Sequence, residues 1–362
     1  MRHTRGRVVE VDSLADLDLR LAAGARSLDG WRLTSLDLTG YADALDACEV
    51  AGATFLGCVF APGGEAAAED RGALVFPTLH SVPGATSRTE LYAPQDLYDT
   101  PRYRNSRDAH AYAWSRHATD RDAMLAQTLH DHAIDHALAT WSSGRRMVGV
   151  MGGHALVRGE PAYAEAARLG RALGARLTVA TGGGPGAMEA ANLGAWLSGR
   201  PTDALDDALR RLREVASFQP SIDAWLEPAR AVLETDPDGA ESLGIPTWHF
   251  GHEPTNVFAS RIAKYFRNAT REAILLEICD GGIVFLPGAA GTVQEIFQDA
   301  CENYYADESS VAPMVLVGSA YWTREVPAWP LLTSLARGRV MEPHLHLVDT
   351  PEEAVAVVSG RA

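Results

Sequence analysis

The residues best suited to chemistry form the stretch IVFLPGAAGTVQE, from Ile283 to Glu295. Its apolar start predicts a buried strand, which Pro287 ends, and Thr292 opens an amphipathic helix as N-cap or as a phosphate ligand. The free N–H groups and positive dipole of a helix N-terminus attract anions. We therefore predict a phosphate-binding turn with the Glu295 carboxylate beside it, the turn consisting of Gly288, Ala289, Ala290, Gly291 and Thr292.

Two more glycine turns follow apolar strands earlier in the chain. Gly152 and Gly153 follow the run 147–151, and the run 176–180 leads into a TGGGPG turn that contains Gly183, Gly184 and Gly186. Three such turns at one sheet edge indicate an extended ligand that carries phosphate. The chain has no strict G-x-G-x-x-G fingerprint and no P-loop, which disfavours NAD(P) hydride transfer and Walker-type ATP hydrolysis.

The elements that position these turns alternate between strand and helix from Gly144 onward. We expect two helices in the acidic stretch 200–240 beside the site, a strand at 246–250 and a long helix at 256–277. Short apolar strands that alternate with helices predict a parallel sheet covered on both faces, with ligands at the carboxyl ends of the strands. The predicted fold class is α/β, a doubly wound Rossmann-like sheet with a small N-terminal α+β domain.

Composition divides the chain into three regions. Residues 1–100 predict the α+β domain, either a small sheet or a few turns of an irregular solenoid, and we assign no role to it. Residues 101–143 predict a linker and a helical arm, with the helical pattern at 108–141. Residues 144–362 predict the Rossmann-like nucleotide-binding catalytic domain.

Two blocks of the chain resemble the LOG family of nucleotide 5′-monophosphate phosphoribohydrolases. The blocks are GGGPGAMEAAN, residues 182–192, and PGAAGTVQE, residues 287–295. The family signature P-G-G-x-G-T-x-x-E is matched except that Ala289 replaces its second glycine. The family's upstream Arg-Lys pair corresponds to Arg271 and Glu272, so glutamate replaces the lysine. The resemblance covers roughly residues 145–349.

The resemblance implies hydrolysis of the N-glycosidic bond of an AMP-like nucleoside 5′-monophosphate to free base and ribose 5-phosphate. Glu295 would stabilise the positive ribose of the transition state and activate water, while Arg271 would hold the phosphate or the leaving side. No metal or other cofactor is expected. A homodimer or higher homo-oligomer is implied, with the helix at 256–277 and the 108–141 segment as candidate interfaces.

Other residues near the glycine turns have two interpretations each. Glu189 and Asn192 could contact the ribose or cap the helix, and Met188 could line the base pocket or belong to the core. Glu253 could bind ribose hydroxyls or be an ordinary loop residue. Trp225 and Trp248 could stack on a base, although core packing is the simpler interpretation.

Bulk properties restrict the remaining functions. The net charge of −15 disfavours nucleic-acid binding, including a DNA-processing role. Four cysteines without a C-x-x-C pair and the lack of a long apolar window favour a cytoplasmic protein that is not bound to membranes. His132 and His136 share a helix face, where a metal site is the weaker interpretation. The main alternative to the enzyme is a protein that binds a nucleotide or molybdenum cofactor as carrier or sensor without catalysis.

Overall fold

A computed structural model describes residues 8–76, 88–117, 121–249 and 253–360. The chain divides into two compact units, and the segments between residues 91 and 137 alternate between them. The first unit comprises Met1–Glu90 and Arg116–Ala137, and the second comprises Leu91–Ser115 and Leu138–Ala362.

The first unit contains a parallel sheet whose strands succeed one another in chain order. The sheet order is β1-β2-β4-β6, and a second, two-stranded parallel sheet pairs β3 with β5. Val9 pairs with Trp31, Arg32 with Thr54, and Thr54 with Leu74, so each turn of the chain adds one strand. This arrangement corresponds to the irregular solenoid, which is one of the two alternatives that the sequence predicts for residues 1–100. Its elements are β1 (Val9–Val11), α1 (Leu14–Ala22), β2 (Trp31–Thr34), β3 (Asp37–Leu38), α2 (Ala42–Asp46), β4 (Thr54–Leu56), β5 (Val59–Phe60), α3 (Gly64–Asp70) and β6 (Leu74–Phe76).

Alternating side chains build the core of this unit. Leu33 and Phe55 lie on neighbouring strands in direct register, and both are fully buried. Because the side chains of parallel strands in register stack along one face, each turn covers the apolar residue of the turn before it. The first helix begins at Ser13, whose hydroxyl accepts a hydrogen bond from the Asp16 N–H at 3.3 Å, as its sequence predicts.

Helix α6 contributes residues to both units. The large sheet belongs to the second unit. The elements after β6 are α4 (Pro94–Leu97), α5 (Arg107–Ser115), α6 (Arg121–Ser142), β7 (Met147–Met151), α7 (Pro161–Gly174), β8 (Thr178–Thr181), α8 (Ala187–Trp196), α9 (Thr202–Leu212), α10 (Ile222–Thr235), β9 (Leu243–Gly244), β10 (Arg261–Ile262), α11 (Asn268–Glu277), β11 (Ile283–Phe285), α12 (Ala290–Tyr305), β12 (Met314–Val317), α13 (Ala328–Ala336), β13 (Leu345–Val348) and α14 (Pro351–Val358). Short 3-10 turns span Tyr103–Asn105 and Glu342–His344, and a π-helical turn spans Tyr321–Glu325.

All seven strands of this sheet are parallel, in the order β10-β9-β8-β7-β11-β12-β13. The chain starts in the middle with β7, builds outward to β10, returns to β11 on the other side of β7, and builds outward again. Apart from the additional edge strand β10, this is the strand order of a Rossmann fold. The predicted α/β doubly wound class is therefore confirmed.

The topology also locates the place where a ligand binds in such sheets. The strand order reverses between β7 and β11, so the loops after these two strands leave in opposite directions and open a crevice. Every residue of β7, β11 and β12 is buried, because helices cover both faces of the sheet.

Two local predictions in this unit are wrong. The predicted strand at 246–250 is replaced by β9, which ends at Gly244, and Phe250 lies outside the described residues. The predicted helix at 256–277 is replaced by β10 and the shorter α11. Oδ1 of Asn256 accepts the N–H groups of Phe258 and Ala259 at 3.1 Å each and closes a turn there. The chain then joins the sheet, where Arg261 pairs with Leu243, instead of continuing as a helix.

The helical pattern at 108–141 is also divided, since α5 ends at Ser115 and α6 begins at Arg121. In the described part of the chain, no helix combines the length and the apolar character needed to cross a lipid bilayer.

Candidate active site

The three glycine turns meet at the reversal point of the sheet. The Gly153 N–H donates to the Pro287 carbonyl at 3.2 Å, and the Ala187 N–H donates to the Gly153 carbonyl at 3.1 Å. The turn after β7 thus lies between the turns after β8 and β11 and is hydrogen-bonded to both. The structure brings together the glycines that the sequence places at one sheet edge, which are Gly152, Gly153, Gly183, Gly184, Gly186 and Gly288.

At two of these positions only glycine fits, because atoms of the neighbouring turns approach the backbone closely. Gly186 has a φ of 75°, and a Cβ there would lie 2.5 Å from the Gly153 carbonyl oxygen. A Cβ on Gly288 would lie 2.2 Å from Oγ1 of Thr292 and 3.1 Å from the Gly153 nitrogen. Since real Cβ atoms do not approach other atoms so closely, only glycine allows the turns to converge.

The helix after β11 begins earlier than its sequence suggests. Helix α12 starts at Ala290 with Ala289 as N-cap, so the prediction that Thr292 opens the helix is wrong. Thr292 is instead buried in the first turn, against Gly288. Alanine has no side-chain acceptor, so the N-cap leaves the N–H groups of this turn open, and the exposed residues there are Ala290 and Gly291. An anion can therefore bind at this helix N-terminus.

The alanine in place of the family's second glycine causes no backbone strain. Ala289 has a φ of −91°, well outside the left-handed region that favours glycine. The departure from the family signature is therefore accommodated by the backbone of this turn.

Glu295 lies in a buried cluster with Arg271 and Glu272. Nη1 of Arg271 is 2.9 Å from Oε1 of Glu272 and 3.9 Å from Oε1 of Glu295. Arg271 and Glu272 are 9% and 6% exposed. Helices α11 and α12 supply these side chains, and α12 brings Glu295 in one turn after its N-terminus.

The cluster retains unused hydrogen-bonding capacity. Within the described residues, Nε of Arg271 and Oε2 of Glu272 are buried without a hydrogen-bond partner. Nη1 of Arg271 forms an ion pair with Glu272, but its N–H groups are not aligned for a hydrogen bond to that carboxylate. Buried polar atoms in folded proteins nearly always have a partner, because an unsatisfied one costs about 1–3 kcal/mol. Donors left open at a ligand crevice are therefore suited to a bound group. Nη2 of Arg271 points that way, 3.7 Å from the position that a Cβ on Gly182 would occupy.

Burial, as the largest cause, and the negative charge of Glu272 together raise the pKa of Glu295 to about 8, although the positive charge of Arg271 opposes them. Two carboxyl groups that share one cation in a low-dielectric site cannot both ionise easily. The Glu295 carboxyl therefore holds its proton at neutral pH and becomes a carboxylate in mildly alkaline solution. A pKa shifted by burial and a charged neighbour is typical of functional carboxyl groups.

Met188 separates this cluster from Glu253. The Met188 Sδ lies 2.8 Å from a Cβ position on Gly182, and its Cε lies 2.9 Å from a Cβ position on Gly184. Oε2 of Glu253 is 3.8 Å from that same position on Gly184. The thioether therefore forms a partly buried surface between Arg271 and Glu253.

Glu189 and Asn192 form hydrogen bonds with other protein groups instead of leaving their polar atoms free for a ligand in the crevice. Glu189 is 1% exposed and accepts hydrogen bonds from Nε of Arg158 at 3.0 Å and from the Tyr163 hydroxyl at 2.8 Å. Oδ1 of Asn192 accepts from the Thr181 hydroxyl at 2.7 Å, and its Nδ2 donates to Oγ of Ser242 at 3.1 Å. Both side chains thus fasten α8, and with it the second glycine turn, to the surrounding strands and loops.

A cleft of about 450 Å³ opens beside the turns, and several of its residues have no sequence signal. It is lined in part by His154, Arg158, Gln219 and Glu253. The loop between α9 and α10 forms one wall, which agrees with the expectation that the 200–240 helices lie beside the site. Arg158 is a lone arginine in its segment, and only its ion pair with Glu189 distinguishes it.

The two tryptophans follow the simpler interpretation, which is core packing. Trp225 and Trp248 are 1% and 3% exposed, which leaves no face for a ligand. Across residues 8–76, 88–117, 121–249 and 253–360, no group of three or more His, Cys, Asp or Glu side chains is placed to hold a metal ion.

No family model matches the chain, and no curated protein matches it. Among solved structures, it is similar to a molybdenum cofactor binding protein from the phototrophic bacterium Rippkaea orientalis, with 15% identity and a TM-score of 0.38 over 60% of this chain and 98% of that one. It is also similar to a molybdenum cofactor carrier protein from Chlamydomonas reinhardtii, with 18% identity and a TM-score of 0.38 over 60% and 97% of the two chains. Similarity at this level does not show that this chain binds the ligands of those proteins.

Proposed function

We propose that this protein hydrolyses the N-glycosidic bond of nucleoside 5′-monophosphates, releasing free base and ribose 5-phosphate. The observation that carries the proposal is the Arg271–Glu272–Glu295 cluster. It is buried at the reversal point of the sheet, and in the part of the chain that the structure describes its guanidinium has N–H groups without hydrogen-bond partners. The PGAAGTVQE block that contains Glu295 also places the chain, as part of this proposal, with the LOG family.

The phosphate binds at the N-terminus of α12. The open N–H groups of Ala290 and Gly291 donate hydrogen bonds to the phosphate oxygens there, and the positive helix dipole adds to the attraction. The guanidinium of Arg271 donates charge-assisted hydrogen bonds to the same ligand. The planar arrangement of its N–H groups suits phosphate or sugar oxygens. The ribose then lies over Met188, with its anomeric carbon close to Glu295.

Glu295 is the catalytic carboxylate. As the bond between C1′ and the base nitrogen breaks, its electron pair leaves with the base and positive charge develops on the ribose. A carboxylate in a low-dielectric site stabilises that charge strongly and accepts a proton from the attacking water. The water oxygen bonds to C1′, and the proton that Glu295 takes from the water passes to the departing base nitrogen, which restores the carboxylate.

A second candidate function is binding of the same nucleotide, or of a molybdenum cofactor, without catalysis. The feature that favours it is the raised pKa of Glu295. Because burial and Glu272 raise its pKa to about 8, most of the protein lacks the carboxylate at neutral pH. A protonated carboxyl donates a hydrogen bond well but stabilises a positive ribose poorly.

Base release measured across nucleotides separates the two functions. The protein is incubated with AMP, GMP, CMP, UMP and IMP at pH 7 and pH 8.5, and free base is quantified by chromatography. Release from at least one nucleotide, with Glu295→Gln at least 100-fold slower, is expected if Glu295 is catalytic. Glu308→Gln, which alters an exposed carboxylate in the turn after α12, is the matched control and should retain full activity. Tight nucleotide binding without any free base would establish the second function instead.

A further inference from the structure

We infer that the cleft beside the glycine turns binds the base of the nucleotide and selects bases that carry an exocyclic amino group. The inference rests on the proposed function for the position of phosphate and ribose. The cleft shares Gly186 with the second glycine turn and is closed on its far side by the loop between α9 and α10, which includes Phe218 and Gln219.

The floor of the cleft carries no free charge. Nε of Arg158 donates to Glu189 at 3.0 Å and its Nη1 donates to the Trp225 carbonyl at 2.8 Å, and its guanidinium lies 4.5 Å from the Trp225 ring centre. Glu189 neutralises this arginine, and both side chains are 1% exposed. A phosphate would find no unpaired cation here, so the cleft is suited to the uncharged end of the ligand.

The walls and rim have the composition of a base pocket. Phe218 is half-buried and meets Trp225 edge to face at 6.3 Å, which leaves an aromatic surface at the cleft wall. Base–aromatic stacking contributes about 1–3 kcal/mol in nucleotide recognition. The rim is polar, with the exposed side chain of Gln219 on one side and Glu253 on the other.

Glu253 determines which base edge fits. Its side chain is 35% exposed, and its Oε1 lies 3.8 Å from Nε2 of His154, beyond hydrogen-bond reach. The buried ammonium of Lys264 interacts with it only through its charge. An ionised carboxylate accepts hydrogen bonds and cannot donate them. The amino groups of adenine and cytosine satisfy it, whereas the carbonyl oxygen at the same place in hypoxanthine or uracil repels it.

The spacing lets one nucleotide reach both ends of the site. Nη2 of Arg271 and Oε2 of Glu253 approach Cβ positions on Gly182 and Gly184 to within 3.7 and 3.8 Å. Residues two apart in a chain are separated by at most about 7 Å. Met188 covers the interval between them, where the ribose lies.

Equilibrium binding tests the inference without requiring turnover. In the Glu295→Gln background, titration calorimetry compares AMP with IMP and CMP with UMP. We expect each aminated nucleotide to bind about tenfold or more tightly than its partner, as a hydrogen bond to a charged group provides. Adding Glu253→Gln should reduce both preferences below about threefold. Adding Glu214→Gln, which changes an exposed carboxylate outside the cleft, should leave the preferences unchanged.

Three results would overturn the inference. These are equal affinities within each pair, no binding of any of the four nucleotides, or an equal loss for all four on Glu253→Gln, which would assign Glu253 to the ribose. A binding preference that disappears with Glu253→Gln would support the inference even if wild-type protein released no base. In that case only the proposed hydrolysis would fail.

Discussion

At the scale of residues, the chain differs from the LOG signature that it resembles mainly through Glu272. Where the pattern has a lysine, this chain has a buried carboxylate 2.9 Å from Arg271. Its negative charge is the second cause of the raised pKa of Glu295, after burial itself. The pH at which the carboxylate of Glu295 becomes available therefore depends on residue 272.

Replacing Glu272 with lysine should shift the pH dependence of base release toward acid. Wild-type activity should rise with pH and level off above about pH 8, because only the ionised Glu295 stabilises the positive ribose and a group with a pKa of about 8 is roughly one-tenth ionised at pH 7. Glu272→Lys removes a negative charge and adds a positive one, so the midpoint should fall by about one unit or more and activity at pH 7 should increase several-fold. The measurement is kcat/KM between pH 5.5 and 9.5.

Glu272→Gln is the matched variant for this comparison. It removes the charge with little change in shape, so its midpoint should lie between those of wild type and Glu272→Lys. A midpoint that is the same in all three proteins would show that residue 272 does not control the ionisation of Glu295. An activity that falls with rising pH would show that the protonated form is the active one.

At the scale of elements, the contact between α7 and α8 positions the second glycine turn. A Cβ on Gly170 would lie 2.1 Å from the Ala191 carbonyl oxygen, and one on Gly194 would lie 1.9 Å from that of Ala167. The two helices thus pack backbone against backbone. Since α8 starts directly after Gly186, any separation of the helices moves that turn.

Gly170→Ala should therefore destabilise the protein, although alanine favours helices by about 1 kcal/mol over glycine. The added methyl group must push α7 away from α8, and overpacking of this kind costs about 1–3 kcal/mol or more. Urea denaturation should show the loss, and base release should decline with it. Gly199→Ala is the control, because a Cβ there meets nothing within 4 Å, and it should change the free energy of unfolding by less than about 0.5 kcal/mol. Equal effects of the two substitutions would contradict this account.

The local sequence was sufficient to predict the glycine turns and the strands that precede them, because a run of glycines directly after an apolar run rarely forms anything but a turn at the end of a strand. It was insufficient where side chains act over a distance. The apolar spacing after Asn256 favours a helix, but Arg261 pairs with Leu243 in the sheet instead. The ion pair of Arg158 with Glu189 joins residues 31 positions apart, and no spacing rule relates them.

The strand order could not be predicted from local sequence patterns either. Nothing near Ile283 indicates that its strand returns to pair with β7 instead of extending the sheet beyond β10. Sequence places the glycine turns at one edge, but only the pairing of β11 with β7 brings Gly153 into contact with Pro287. The N-cap role of Ala289 was missed for a related reason, since alanine carries no capping signal and Thr292 does.

At the scale of the whole molecule, the buried carboxyl of Glu295 couples stability to pH. Its pKa is about 8 in the folded protein and near 4.5 when unfolded, so between these values the folded state keeps a proton that the unfolded state loses. Stability from this group is therefore present at low pH and lost as pH rises, by up to about 1.4 kcal/mol per pH unit, until about pH 8.

Glu295→Gln removes this dependence, because glutamine stays neutral at every pH. The free energy of unfolding of the variant minus that of wild type should thus increase by on the order of 3 kcal/mol from pH 5.5 to pH 8.5 and then remain constant. Urea titrations followed by tryptophan fluorescence suit this test, because seven of the eight tryptophans belong to the second unit, which contains Glu295. Asp299, whose pKa burial also raises, affects both proteins equally and cancels in the difference. A difference that does not vary with pH would mean that Glu295 is already ionised at neutral pH.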